Sequence, residues 1–459
     1  MVVGTTLEIL FCNTFDLPFI HPNIPCTLGY AGSKTPQTEG YLCYLNIRTF
    51  PYFKACFKRG FLYTKQITML RPYLLLMSLL LSFSAMAQVT DLKSIVLKHT
   101  GKEAYEMEDF RAEIISPEGH IAGTFLSTQD VNNRVPYVLI KNESGRYQPF
   151  VLTELPAARV AGFVGGANLV VNSAPAAVAE QKVLVFRWQG SDYAKNGKDY
   201  APELVKLPFD QATVVSCQDS LLAVNAKLQD QRTDRELPAN QYASDIPADF
   251  RRSTTCTRGM AYDLLTGLYA YTSFPMAIAL NLDSEVAQVN LQGYACGASK
   301  GFAGRRYLEE YYPFYATPDS VYLVLIGTQG RAIAMNEAGL VCGSFYQPEM
   351  GKTMGFVWNF EERLNEREGW QVIRNNRPAL PEAMNESGMI VGTDEIQAFV
   401  WKDNVFNYLD DIIDSSNPDL SKWNFRALHD INDAGLAVGE AEVDGNFVAV
   451  LVDLNQLDL

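Results

Sequence analysis

A short motif recurs along the chain at a nearly constant distance, and this repeat constrains the fold more than any other feature. The pattern Asn-x-x-Gly-x-x-x-Gly begins at Asn290, Asn336, Asn385 and Asn432, and a copy with serine first begins at Ser116. Asn or Ser can hydrogen-bond the backbone of a tight turn, and the first Gly accepts a positive φ. These first glycines are Gly119, Gly293, Gly339, Gly388 and Gly435. Each copy therefore predicts a turn between two strands, followed by a buried strand.

Two weaker copies, around Asn168 and Ser220, fill the interval between Gly119 and Gly293. With them included, the steps between equivalent positions are 49, 52, 73, 46, 49 and 47 residues. Units of this size with several short strands match the blades of a propeller. We therefore predict an all-β fold, a β-propeller of seven blades of about 46–52 residues, in a single domain over residues 88–459. The alternative is an irregular β-sandwich array in which such turns recur by chance.

At these turns the chain resembles the HAF-type bacterial extracellular repeat proteins. In that family, an Ala-x-Asn-x-x-Gly-x-x-x-Gly turn precedes an Ala-Phe-x-Trp strand. Residues 332–358, 383–401 and 427–451 carry the resemblance, whereas the first four units match only in outline. The His of the family's His-Ala-Phe triplet is replaced by Met354 and by Gln397. Because the family has no established activity, the resemblance implies only architecture and export.

Residues 69–87 have the parts of a secretory signal peptide. Arg71 provides the basic start, an apolar run extends from Tyr73 to Phe83, and Ala85-Met86-Ala87 provides the small residues of a cleavage site. The apolar run is shorter than the roughly 20 residues that span a bilayer, which disfavours the alternative of a membrane anchor. We therefore predict export to the periplasm or the exterior, with no membrane span after cleavage. We interpret residues 1–68 as a non-native upstream extension from an over-long gene model.

The charge of the chain disfavours nucleic acid as a partner. The net charge is −14, and without residues 1–87, which hold seven basic and three acidic residues, it is −18. Such a charge repels phosphate backbones.

The cysteines beyond residue 87 are Cys217, Cys256, Cys296 and Cys342. In an oxidising compartment, four cysteines allow three ways of forming two disulfides. We expect Cys217 to pair with Cys256, because the two flank the same long step between repeats.

Motifs of known chemistry are nearly absent. Residues 297–301 fit Gly-x-Ser-x-Gly, but they lie in a β repeat, and only His429 follows them. His99, His120 and His429 lie in separate regions, which favours core or solvated roles. Residues 430–435 lack the ligand positions of a calcium loop. We therefore predict no catalytic residue, no cofactor and no metal site, and the sequence leans against an enzyme without deciding the question.

Two segments interrupt the repeat and are the best candidates for binding. Residues 225–259 form a polar, charged insertion, and loops on a rigid scaffold often carry function. A second segment combines arginines with amphipathic aromatic rings, which can stack on a sugar or anchor a protein. Its candidate ligand-binding residues are Arg305, Arg306, Tyr307, Tyr311 and Tyr312. A tolerated surface insertion and tyrosines that pack blades together are the alternatives.

Two functions follow from these observations. The first is an exported, non-enzymatic propeller that binds a polysaccharide or an envelope protein. The second is a secreted glycan-active hydrolase or lyase with its site at the propeller mouth. Carboxylates clustered with Arg and Tyr at one end of the central channel would favour the second function, whereas a channel lined by small apolar residues would favour the first. A purely structural role in surface assembly is a third hypothesis.

Overall fold

Each predicted repeat corresponds to a four-stranded antiparallel sheet in the computed structural model of the protein. The structure describes residues 89–100, 107–127, 130–152, 158–173, 183–187, 201–205, 207–209, 211–229, 255–272, 282–303, 306–324, 328–364, 369–374, 377–414, 420 and 422–457. There are seven sheets in this part of the chain, and the first strand of each lines a central channel. The prediction of an all-β, seven-bladed propeller is confirmed. The predicted extension and signal peptide, 1–68 and 69–87, lie outside the described residues.

The blades follow one another along the chain. Blade 1 comprises β2 (Met107–Ile115), β3 (Ile121–Ser127), β4 (Asp130–Lys141) and β5 (Tyr147–Val151), and blade 2 comprises β6 (Arg159–Val164), β7 (Asn168–Asn172), β8 (Val183–Arg187) and β9 (Ala201–Val205). Blade 3 comprises β10 (Ala212–Gln218), β11 (Leu221–Gln229), β12 (Thr255–Asp263) and β13 (Tyr269–Tyr271), and blade 4 comprises β14 (Ser284–Val289), β15 (Ala295–Ala303), β16 (Arg306–Ala316) and β17 (Val321–Leu323).

The remaining blades have the same strand order. Blade 5 comprises β18 (Gly330–Met335), β19 (Leu340–Gln347), β20 (Lys352–Asn359) and β21 (Trp370–Val372), and blade 6 comprises β22 (Leu380–Met384), β23 (Ile390–Thr393), β24 (Ala398–Lys402) and β25 (Val405–Tyr408). Blade 7 comprises β26 (Trp423–Ile431), β27 (Leu436–Val443), β28 (Asn446–Asp453) and, as its outer strand, β1 (Val89–Asp91) from the other end of the domain. Pairing of Val89 with Val452 and of Asp91 with Val450 thus closes the ring.

The short helices lie between or after strands: α1 (Leu92–Thr100), α2 (Phe360–Leu364), α3 (Leu409–Asp414) and a 3₁₀ turn (Leu454–Gln456). The sequence analysis did not anticipate α1. Its first turn is capped by Asp91, which accepts a hydrogen bond from the Ser94 amide at 3.2 Å. Leu92 and Val96, four residues apart, are fully buried against blades 1 and 7. Within the described residues, no helix has the length and apolar character that crossing a membrane requires.

The repeated motif forms the turn between the first and second strands of a blade. In all five clear copies the amide of the first glycine donates to the carbonyl of the Asn or Ser three residues before it, at 2.9–3.1 Å. The glycine φ values lie between +70° and +85°. The weaker copies, at Asn168 and Ser220, occupy the corresponding turns of blades 2 and 3.

The same turns connect neighbouring blades. The side-chain amides of Asn336, Asn385 and Asn432 each donate to a backbone carbonyl in the turn of the next blade, at 3.0–3.3 Å. The last of these bonds ends on Ser116 of blade 1 and therefore crosses the ring closure. A second bond from blade 5 to blade 6 is donated by the Glu337 amide to the Glu386 carboxylate, at 2.9 Å.

The second glycine of the motif allows two strands of a blade to approach closely. A Cβ at Gly123, Gly297, Gly343, Gly392 or Gly439 would lie 1.9–2.1 Å from a carbonyl oxygen of the inner strand. In each case the inner strand has a β-bulge at or next to that carbonyl, which shifts the register by one residue. The close approach leaves no space for a side chain, and the extra residue of the bulge lines the channel.

The structure corrects the expected disulfide. No disulfide joins Cys217 to Cys256. Cys217 pairs with Leu222 at one end of β11, and Cys256 pairs with Leu228 near the other end. Six residues of extended strand separate these positions by about 20 Å, which is far beyond the reach of a disulfide. Residues 225–229 and 255–259 of the predicted insertion belong to β11 and β12, and residues 230–254 lie outside the described part of the chain.

We predict that Gly343→Ala destabilises the propeller strongly. The new Cβ would lie 2.1 Å from the Arg331 carbonyl oxygen and 2.8 Å from the Ala332 Cα, both of which are backbone atoms. The expected loss is about 3 kcal/mol or more. The control is Gly351→Ala in the same blade, where φ is +60° but no atom lies within 4 Å, so only about 1 kcal/mol is expected. Equal losses in urea unfolding would contradict the close-approach explanation.

Candidate functional site

The seven bulge residues form a ring inside the channel. The channel encloses a cavity of about 680 Å³ that is lined by all seven inner strands. In blade order the bulge residues are Glu113, Ala161, Val215, Ala287, Ile333, Glu382 and His429. Blades 2 to 5 contribute small or apolar side chains, whereas blades 6, 7 and 1 contribute Glu382, His429 and Glu113. The ring therefore has an apolar half and a charged half.

His429 is the centre of the charged half. Its Nδ1 lies 2.6 Å from the Glu382 Oε2, and the other ring nitrogen, Nε2, is buried with no hydrogen-bond partner among the described residues. Burial lowers the pKa of His429, but the hydrogen bond to Glu382 and the charges of Glu382, Glu440 and Glu113 outweigh it. The net effect is a pKa above the usual 6.5.

Glu113 is held on the other side of His429 by a polar relay. The Thr124 hydroxyl donates to the Glu113 carboxylate, and the Arg134 Nε donates to Thr124 Oγ1 at 2.8 Å. Arg134 also forms an ion pair with Asp109, and so does Arg111, whose Nε lies 2.9 Å from the Asp109 Oδ1. Burial raises the pKa of Asp109, but the hydrogen bonds to the two arginines and their charges lower it by a larger amount. The pKa of Asp109 therefore lies below its usual range.

A cavity of about 630 Å³ opens over this charged half, and we name it the mouth pocket. Its lining consists of Arg111, Glu113, Thr124, Arg134, Ala158, Arg159, Glu382 and His429. Arg111 and Arg134 are paired with Asp109, but Arg159 is exposed and makes no ion pair with any described residue. Arg159 is therefore the cation that the pocket offers to a ligand.

Carboxylates and arginines lie together in the mouth pocket at the channel, as we expected for a glycan-active site. The residues that line it include no tyrosine. The apolar half of the ring instead has the small apolar residues that we expected for a non-enzymatic binding protein. Among the described residues, no group of three or more His, Cys, Asp or Glu side chains is arranged to hold a metal ion.

Tyr311 and Tyr312 of the segment predicted from sequence lie in different surroundings. The Arg331 guanidinium and the Lys300 ammonium lie 4.6 and 5.1 Å from the centroid of the Tyr311 ring. Its hydroxyl donates to Glu285, and burial together with the charges of Asp283 and Glu285 raises the pKa of Tyr311.

The next residue along the strand, Tyr312, lies in a buried, apolar environment. Tyr312 is only 6% exposed and packs in the core between blades 3 and 4. Arg306 and Tyr307 begin β16, opposite Ala303 and Phe302. Arg305 lies outside the described residues. Alternation along a strand thus separates Tyr311 from Tyr312.

Sequence reasoning missed Glu113, Glu382 and His429 as a group. A signal was available, because each lies three residues before the first residue of its turn motif, at Ser116, Asn385 and Asn432. Comparing this one position across the five clear copies separates the charged bulges from Ala287 and Ile333. Only the closed ring, however, brings blade 1 next to blade 7.

Comparisons with known proteins find similar solved structures but no family. No family model and no curated protein matches the chain. Similar solved structures include the β-propeller domain of the Trilobed protease from Pyrococcus furiosus, which is 7% identical with a TM-score of 0.45 over 75% of this chain and 94% of that one. They also include a Hadza microbial sialidase, which is 8% identical with a TM-score of 0.37 over 72% of this chain and 74% of that one.

We predict that Glu382→Gln lowers the pKa of His429, because the variant loses the charge and the charged hydrogen bond that favour the imidazolium. In the wild type, His429 should titrate above 6.5 and His120, whose pKa is lowered by burial, below it. Titration of the imidazole NMR signals measures both. The control is Glu349→Gln, an exposed carboxylate on blade 5.

The direction of the His429 pKa shift also determines how the stability of the protein depends on pH. Because its folded-state pKa is raised, the His429 contribution is fully present below pH 6.5 and is lost as the pH rises through the folded-state value. An unchanged His429 titration in Glu382→Gln would show that the pair does not form in solution.

Proposed function

We propose that this protein is an exported propeller that binds an acidic polysaccharide at the mouth pocket. The observation that carries the proposal is that Arg159, which is exposed and has no ion-pair partner among the described residues, shares one concave site with Glu113, Glu382 and His429. Export rests on the signal-peptide pattern of residues 69–87. An envelope protein is the other partner that the sequence allows.

The chemistry of the lining matches an acidic sugar. A guanidinium binds a carboxylate with two parallel hydrogen bonds, and carboxylates accept hydrogen bonds from sugar hydroxyls. A cavity of about 630 Å³ falls within the range of small-ligand sites. A protein partner needs about 800 Å² of complementary surface on each side, whereas the charged groups here are concentrated in a single pocket. The net charge of −14 opposes a polyanion at long range, so the attraction has to come from Arg159 at contact.

We predict that galacturonic acid oligomers bind and that Arg159→Ala weakens binding at least tenfold, because a charge-assisted hydrogen bond contributes about 1.5–3 kcal/mol. Isothermal titration calorimetry measures the affinity, with neutral glucan oligomers as the ligand control. The matched control variant is Arg377→Ala, an exposed arginine that does not line the mouth pocket. Equal affinity for neutral and acidic oligomers, or an unchanged affinity in Arg159→Ala, would contradict the proposal.

A second candidate function is turnover of the same glycan, and the Glu382–His429 pair favours it. A carboxylate that holds one imidazole nitrogen leaves the other to transfer a proton, which is the usual arrangement of an oriented general acid or base. In a lyase reaction the imidazole removes the proton next to the uronate carboxylate, and the electron pair of that bond forms a carbon–carbon double bond. The bond to the leaving oxygen breaks, and the leaving oxygen takes a proton back from the imidazolium and departs as an alcohol. Arg159 would neutralise the carboxylate during this step.

We expect His429→Gln to separate the two functions. If the protein is a lyase, wild type generates new reducing ends together with an ultraviolet-absorbing double bond, and His429→Gln retains binding but loses product. New reducing ends without the double bond would indicate a hydrolase. Binding without any product from the wild type leaves the non-enzymatic function.

A further inference from the structure

A second cavity lies where the ring closes, and we name it the seam cavity. It encloses about 720 Å³ between α1, the β4–β5 hairpin of blade 1 and the edge of blade 7. It shares no lining residue with the mouth pocket. The seam cavity is therefore a separate site, and conclusions about it do not depend on the function proposed above.

Positive charge dominates the lining of the seam cavity. Lys98 and His99 reach it from α1, and Lys141 and Arg146 reach it from the β4–β5 hairpin. None of these four side chains forms an ion pair with a described residue. Lys98, Lys141 and Arg146 place three cations around one cavity of a chain whose net charge is −14, and Asp453 is the one acidic residue of the lining.

The single acidic residue of the lining is already engaged. Asp453 accepts hydrogen bonds from the Asn455 amide at 3.2 Å and from the Gln456 side chain at 2.8 Å, which caps the last 3₁₀ turn. Asp453 keeps its charge, because both donors are neutral amides, but one carboxylate against Lys98, Lys141 and Arg146 leaves the lining with a net positive charge.

Tyr147 provides a second, independent observation. This residue lines the cavity, and its hydroxyl is buried with no hydrogen-bond partner among the described residues. Burial raises the pKa of Tyr147 to about 12, so the hydroxyl stays protonated and can act as a donor. Buried polar groups in folded proteins nearly always have a partner, and an acceptor that reaches the hydroxyl from the cavity would supply one.

Most of the other lining residues are apolar, and they include Ile95, Leu436 and Leu451. An inorganic ion would use only the basic side of such a site, whereas a molecule with both an anionic group and a carbon skeleton would use both sides.

We propose that the seam cavity binds a phosphate monoester, with the phosphate held by Lys141 and Arg146 and the organic group packed against the apolar residues. Lysine and arginine are the usual partners of a phosphate dianion in proteins. The ester can be a free metabolite or the headgroup of a lipid, since both present the same dianion.

Binding here should also strengthen ring closure. The cavity is formed by β1, α1, blade 1 and blade 7, and all four contribute lining residues. A ligand that binds only when these elements are together stabilises their closed arrangement. Amide hydrogen exchange in β1 and α1 should therefore slow in the presence of the ligand, more than exchange in blades 3 and 4.

The test uses the full chain and three probes: inorganic phosphate, a hexose phosphate, and phosphatidylcholine vesicles that contain phosphatidic acid. Sodium chloride at equal ionic strength is the control for screening. We expect the double variant Lys141→Met/Arg146→Met to lose about a hundredfold in affinity, tenfold for each charged contact. The matched control is Lys227→Met, an exposed lysine of blade 3 that does not line the cavity.

Tyr147→Phe tests whether the Tyr147 hydroxyl contacts the ligand. It should weaken binding several-fold and leave the melting temperature without ligand unchanged, because it breaks no internal hydrogen bond. Binding of the soluble esters identifies a free metabolite as the source, and binding of the vesicles alone identifies a lipid headgroup. Absence of binding to all three probes, or binding that the double variant retains, would overturn the proposal.

Discussion

Closure of the ring by β1 is the interaction on which both sites depend. Three backbone pairs join β1 to β28 and hold the two ends of the propeller together. Side chains reinforce the junction of blades 7 and 1: Asp430 accepts a hydrogen bond from the Ile115 amide at 2.8 Å, and its burial raises its pKa to about 7. His429 of blade 7 faces Glu113 of blade 1 only because this junction is closed. An open ring would keep the first strand of every blade and still lose the charged half of the mouth pocket.

Within each repeat, some positions require one residue type and another position can vary. Glycine at the fourth and eighth positions of the motif is fixed by a positive φ in the turn and by the close approach of two backbones. The bulge residue three positions before the motif has neither constraint, because it lies in the channel. One blade can therefore present isoleucine there and another histidine at little cost to the fold. Function on a repeat scaffold changes most readily at such positions.

The mouth pocket and the seam cavity differ in how their charges are compensated. In the mouth pocket, Glu382 pairs with His429 and Asp109 pairs with two arginines, whereas Arg159 forms no ion pair within the described part of the chain. Such a lining suits a polyol that also carries a carboxylate. In the seam cavity four basic groups have no acidic partner among the described residues, which suits a compact dianion. Two chemically different ligands on one acidic propeller are therefore compatible.

The sequence by itself determined the number of blades, their lengths and the positions of their turns, because these follow from local requirements. Asn and Gly at fixed spacing specify a turn wherever they occur. Only the tertiary structure decided that β1 completes blade 7, that Cys217 and Cys256 lie at opposite ends of one strand, and that Tyr311 and Tyr312 face different surroundings. It also decided that Glu113 and His429, 316 positions apart, meet in one pocket. Such neighbours result from ring closure and packing between blades, and these long-range contacts leave no local pattern in the chain.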